Sequence, residues 1–61
     1  MTEFVEQIRL RVSDALDDLA RARSAGDDYQ AQVHLGELES FARLADENGV
    51  TVPELEAFRA A

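Results

Sequence analysis

The chain has 61 residues, no cysteine and a formal net charge of -7, from 13 acidic and 6 basic side chains. This length allows one small domain and excludes a second, and the lack of cysteine excludes disulfides, a thiol nucleophile and a cysteine-ligated metal. Because 46% of the residues are hydrophobic and only 1 is proline, the composition indicates a folded chain rather than a disordered tail. A domain this short buries a small fraction of its surface, so we expect marginal stability as a monomer.

Charge and hydrophobicity also bear on where the chain acts. No apolar run approaches the roughly 20 residues that a membrane span needs, and the first residues, Met1 to Glu3, are acidic where a signal peptide would be basic. A pI of about 4.4 opposes binding to nucleic acid, because the phosphate backbone repels an acidic surface. We therefore expect a cytoplasmic protein that contacts neither a membrane nor nucleic acid.

Residues 3–25 are predicted to form the first helix. Thr2 is suited to cap its start, and Asp17 and Arg21 are spaced for an ion pair on its outer face. Apolar residues recur at alternating spacings of three and four, which predicts a helix packed along one side. These residues are Val5, Ile8, Val12, Ala15, Leu19 and Ala22.

A short turn around Gly26 separates this helix from a second one over residues 28–48. Gly26 suits the left-handed residue that follows a helix, and Asp27 suits the cap of the next. The sequence Asn48-Gly49 is a common helix stop. The main apolar face of the second helix comprises Ala31, Leu35, Leu38, Phe41, Ala42 and Ala45. Since a short loop makes two long helices antiparallel neighbours, the sequence predicts a helical hairpin.

A short third helix is predicted over residues 52–60. Thr51 and Glu54 have the spacing of a capping box, and Pro53 lies in the first turn, where its missing N–H is harmless. Its apolar edge comprises Val52, Leu55 and Phe58. Because two helical turns are unstable alone, this helix must dock on the hairpin or on a neighbouring chain. The predicted fold is thus all-α, a single helical domain over residues 1–61 that assembles into a dimeric bundle.

A second line of residues, here named the outer stripe, lies on the second helix opposite its main apolar face. It consists of Tyr29, Val33, Gly36, Ser40 and Leu44. Either the third helix covers this stripe within one chain, or a dimer or higher bundle buries it. We favour a homodimer, because one short hairpin buries little apolar surface. The predicted contacts with a partner chain are the outer stripe together with Phe41, Leu55 and Phe58.

His34 and Glu37 raise the alternative of a metal-binding bundle. They lie one turn apart, and Asp14 or Asp17 from the first helix would add further ligands, more of them in an oligomer. Helical di-iron sites use the opposite order, Glu-x-x-His, so we favour a half-buried His34 beside a solvated Glu37. The sequence therefore predicts no metal and no cofactor, with the metal-binding bundle as an alternative.

The remaining charged residues do not indicate an enzyme. The pairs Asp17-Asp18 and Asp27-Asp28 lack the calcium-loop pattern, and a two-helix hairpin offers no concave pocket for acid–base work. The first helix carries four arginines among acids, a pattern that favours ion pairs with a facing helix over nucleic-acid contacts. The expected pairs join Arg9 and Arg23 to Glu37, Glu39 and Asp46.

About half of the chain resembles small uncharacterised helical-hairpin proteins of actinobacteria. The similar segments are AGDDY, HLGELES and ADENGV, at residues 25–29, 34–40 and 45–50. No activity is known for those proteins, so the resemblance implies a hairpin and no chemistry. Ser40 and Arg43 also resemble part of the cyclic di-GMP-binding motif of an actinobacterial anti-sigma hairpin. Gly36 and Thr51 stand where that motif has acids, and nucleotide binding is not predicted.

Taken together, these patterns predict a non-enzymatic protein–protein interaction or regulatory module that associates with itself through apolar helix faces. The expected partner is a second copy of the chain, and an unidentified protein is a further candidate. A further alternative follows from the charge of -7, namely an acidic, anti-sigma-like or antitoxin-like protein that sequesters a basic partner.

Overall fold

The computed structural model describes residues 3–60, which form three α-helices and no strand. Helix α1 spans Glu3–Ser24, α2 spans Asp28–Glu47 and α3 spans Pro53–Ala60. The predicted all-α hairpin with a short third helix is confirmed, and each helix begins and ends within one residue of its predicted position. The predicted cap at Thr2 lies outside the described residues.

The turn between α1 and α2 is made by a glycine and an aspartate. Gly26 has φ +70, and its N–H donates to the carbonyl of Arg23 at 3.1 Å, while the N–H of Asp27 donates to the carbonyl of Ala22 at 2.8 Å. This hydrogen-bond pair is the Schellman motif, which satisfies the last carbonyls of a helix. The Asp27 carboxylate then accepts from the N–H of Gln30 at 3.1 Å, so the predicted cap of α2 is confirmed and the chain reverses within three residues.

The facing sides of α1 and α2 form the core that the heptad pattern predicts. The core residues are Ile8, Val12, Ala15, Leu19 and Ala22 from α1, Ala31, Leu38, Ala42 and Ala45 from α2, and Val52 and Leu55 near the C-terminus. Leu35 and Phe41 are half-buried against this core. Alanine at many of these positions lets the two helix backbones approach closely, while Leu38, with no exposed surface at all, fills the space between them.

The start of α3 differs from the prediction by one residue. The carbonyl of Val52 accepts from the N–H groups of Leu55 and Glu56 at 3.0 and 3.1 Å, so Val52 caps the helix and Pro53 is its first residue, the position that proline favours. The hydrogen bonds of residues 3–60 include none between Thr51 and Glu54, and the predicted capping box is wrong. The Glu54 side chain points to α1 instead, with Oε2 3.6 Å from Nη2 of Arg9.

Helix α3 docks on the hairpin of its own chain and leaves the outer stripe free. A second Schellman turn, with Gly49 at φ +66, directs the chain back toward α1, and Leu55 is buried there beside Val52. The alternative in which α3 covers the outer stripe is therefore wrong. The predicted apolar edge of α3 is the one that docks. It packs into the core shared by α1 and α2, where it completes the seam between these two helices.

Two glycine-to-alanine substitutions are expected to change stability in opposite directions. Gly26→Ala forces a side chain into the left-handed region and should lower the free energy of unfolding by about 1 kcal/mol. Gly36 does not have a left-handed φ, and an added Cβ there meets no atom within 4 Å. Gly36→Ala should therefore raise the free energy of unfolding by about 0.5–1 kcal/mol through helix propensity. Urea denaturation of dilute protein, followed by circular dichroism, measures both. A Gly26→Ala variant as stable as the unmodified chain would contradict the assigned turn, and a destabilised Gly36→Ala variant would contradict the open space beside Gly36.

Candidate interaction surface

The outer stripe is uncovered along the whole of α2. Tyr29 is 75% exposed, Val33 38% and Leu44 37%, and Gly36 and Ser40 between them are exposed as well. The side of α2 that contacts α1 carries Leu38 and the buried alanines, and a period of 3.6 residues places the stripe on the opposite side. At about 1.5 Å per residue the stripe extends for roughly 22 Å.

The five residues of the outer stripe are uncharged, and two carboxylates border it, with Glu37 one turn after Val33 and Glu47 one turn after Leu44. On the outer face of α1, Leu10 is 62% exposed, but Glu6 and Asp14 lie one turn before and one turn after it. Leu10 is thus an isolated apolar residue among carboxylates, which is common on monomeric proteins and needs no partner. A continuous uncharged stripe that includes an aromatic and two aliphatic side chains is the pattern of a contact surface.

Three of the residues predicted to contact a partner chain lie apart from the stripe. Leu55 is only 2% exposed in the core of its own chain and offers no surface to a partner. Phe41 and Phe58 are half-buried against that core. All three side chains contact the core of their own chain. Leu55 and Phe58 do so because α3 folds back onto the hairpin, and Phe41 does so because it lies at the edge of the α2 face that contacts α1.

A shallow cleft between α1 and α2 was not anticipated from the sequence. It has a volume of about 180 Å³ and is lined by Arg11, Asp14, Ala15, Asp18, Glu37 and Phe41. The expectation that a hairpin offers no concave site is therefore corrected, although this cleft is open to solvent. Arg11, Asp14 and Asp18 are spaced by three and four residues along α1, and this spacing could have indicated that they lie on one side of the helix.

The ion pairs of residues 3–60 differ from those predicted. Arg21 pairs with Asp18 rather than Asp17, and Arg9 pairs with Glu54 of α3 rather than with α2. Asp46 accepts a hydrogen bond from Nη2 of Arg59 at 2.9 Å, which raises the pKa of Arg59 above its ordinary value.

Arg23 has no ion pair in this part of the chain. Two residues expected to pair across the hairpin contact α3 instead, because Glu54 of α3 pairs with Arg9 and Arg59 of α3 pairs with Asp46. A prediction that considers only α1 and α2 omits these charges.

His34 and Glu37 contact each other. Nδ1 of His34 lies 2.9 Å from Oε1 of Glu37, with the histidine half-buried and the glutamate exposed. Within residues 3–60, no group of three histidine, aspartate or glutamate side chains is arranged to hold a metal ion. Asp14 lies across the cleft from Glu37, whereas Asp17 is not part of its lining. Two side chains bonded to each other do not make a metal site.

These features define a small all-α hairpin protein whose second helix exposes Tyr29, Val33 and Leu44. None of the helices within residues 3–60 is long and apolar enough to cross a membrane. No protein-family model, no curated protein and no solved structure matches the chain.

Proposed function

We propose that this chain is a non-enzymatic protein interaction or regulatory module that associates with itself through the outer stripe of α2. The observation that carries the proposal is that α3, the only further element available to cover the stripe within residues 3–60, docks elsewhere. An exposed apolar helix face on so short a chain adds hydrophobic stabilisation when a second hairpin covers it.

The charge distribution supports a second copy as the occupant of the stripe. Each chain has a net charge of -7, so two copies repel each other wherever carboxylates would face carboxylates. The outer face of α1 carries such carboxylates around Leu10. The five residues of the outer stripe carry no charge, and Arg43 lies beside it as well as Glu37 and Glu47. Two copies therefore repel each other less along the stripe than they would along the outer face of α1.

Self-association is expected to depend on the outer stripe and not on exposed leucines in general. Purified protein should elute as a dimer, with twice the monomer mass of 6.8 kDa, in size-exclusion chromatography with light scattering at high micromolar concentration. Leu44→Glu places a carboxylate in the contact and should shift the protein to monomer, because desolvating an unpaired charge is costly.

The matched control for this experiment is Leu10→Glu, which adds the same charge at an exposed leucine of α1 and should remain dimeric. Because the proposed contact involves one helix of each chain, we expect it to bury less than the roughly 800 Å² per partner of standard interfaces, so the dimer should dissociate on dilution. A wild-type chain that remains monomeric at the highest concentration would overturn the proposal.

A second candidate function, sequestration of a basic partner, is supported by the cleft between α1 and α2. Its lining includes three carboxylates, from Asp14, Asp18 and Glu37, against the one guanidinium of Arg11, together with the ring of Phe41. Asp18 and Glu37 already contact Arg21 and His34, which leaves Asp14 beside the aromatic ring as the carboxylate best suited to a lysine or arginine side chain. Capture from the native host would identify such a partner. Its binding should weaken with salt and with Asp14→Asn, but not with Asp17→Asn, which lies outside the cleft.

A further inference from the structure

We propose that two chains pair antiparallel along α2, with the twofold axis beside Ser40, so that the four long helices lie side by side in the order α1, α2, α2, α1. This inference rests on the proposed self-association and adds to it the position and direction of the contact. Three observations on α2 support it, concerning a glycine, the spacing of the stripe and an arginine.

Gly36 has no structural reason to be glycine within its own chain. It lies inside α2 without a left-handed φ, and an added Cβ would meet nothing within 4 Å. Glycine inside a helix costs about 1 kcal/mol relative to alanine. A second helix over this point would use the missing side chain, because small residues let two helix axes approach within the usual 8–10 Å.

The spacing of the stripe is self-complementary about Ser40. Gly36 and Leu44 lie four residues before and four residues after it, so they are placed symmetrically along one side of α2. When a second copy is turned antiparallel about Ser40, Leu44 of each chain lies over Gly36 of the other. A large side chain then fills the space that the glycine leaves open, and this happens twice in one isologous contact.

Arg43 supplies the charge complementarity. It is exposed beside the stripe, and among residues 3–60 the ion pairs involve Arg9, Arg21, His34 and Arg59 but not Arg43. Glu39 is exposed on the same flank and is likewise without an ion pair in this part of the chain. In an antiparallel pair like flanks meet, so Arg43 of each copy lies within reach of Glu39 of the other.

This arrangement places the two copies of Ser40 close together, which can be tested by disulfide trapping. The chain has no cysteine, so Ser40→Cys introduces a single thiol in a chain that is otherwise free of them. A disulfide requires Cα atoms about 4.4–6.8 Å apart. Ser13→Cys is the matched control, because Ser13 is also an exposed serine on a helix, but on α1.

Under mild oxidation, Ser40→Cys should form a disulfide-linked dimer at least about tenfold faster than Ser13→Cys, since paired thiols have an effective concentration far above that of free chains. Non-reducing gels measure the rate, and circular dichroism checks that both variants are folded. Light scattering on the unmodified chain separates the two levels of the proposal. If the chain is a dimer but Ser13→Cys links as fast as Ser40→Cys, the axis is wrong while self-association stands. If the chain is monomeric, both are overturned.

Discussion

Leu38→Ala is expected to unfold most of the protein. Leu38 has no exposed surface and lies between the two long helices, and truncating a buried leucine to alanine costs about 2–5 kcal/mol through lost burial and the cavity that remains. At about 0.05–0.15 kcal/mol per residue, a chain of this length has only a few kcal/mol of stability. Helical circular dichroism in urea measures the loss, and the transition should move to very low urea or disappear.

The control for this experiment is Leu10→Ala, the same chemical change on an exposed residue. It removes a side chain that contacts solvent and introduces a strong helix former, so stability should change by less than about 0.5 kcal/mol. If the two substitutions had equal effects, Leu38 would not be at the centre of the core and the assigned packing of α1 on α2 would be incorrect.

Leu55→Ala is expected to have the second largest effect, a loss of about 2–4 kcal/mol. Leu55 anchors α3 in the core, and a helix of two turns has no stability of its own once that anchor is lost. Hydrogen exchange of the α3 amides reports the detachment directly, and those amides should exchange faster than the amides of the hairpin. Urea denaturation gives the overall loss.

Glu56→Ala provides the comparison for Leu55→Ala. Glu56 is the next residue along α3, is exposed and lies 3.9 Å from Arg59, a surface pair of small effect. Its substitution should leave the exchange of α3 amides almost unchanged. Equal protection of α3 in both variants would show that Leu55 does not hold the helix.

The position of α3 matters for function because it decides which surface stays available. The short helix could have covered the outer stripe, and the chain would then have had no apolar helix face to offer a partner. Since α3 instead completes the seam between α1 and α2, the stripe keeps Tyr29, Val33 and Leu44 exposed. The proposed self-association therefore depends on where α3, a helix of 8 residues, docks on the hairpin.

Local sequence signals determined the helices and the side of each that is buried. The alternating spacing of Ile8, Val12 and Ala15 specifies one face of α1, and Gly26 and Asp27 specify the turn, because the left-handed backbone and the cap depend on the residues at those positions. These features involve neighbours within one or two helical turns. They could therefore be predicted before any tertiary contact was known.

Tertiary structure alone decided how these faces meet. The edge of α3 around Leu55 is apolar in any arrangement, and its periodicity does not state whether the core or the outer stripe will cover it. The same holds for charges, since Glu54 could cap its own helix or pair with Arg9, and it pairs with Arg9. The cleft beside Phe41 likewise exists only because residues of α1 and α2 line it together. A hydrophobic pattern determines which side of a helix leaves water, whereas the partner is selected by packing among residues distant in sequence.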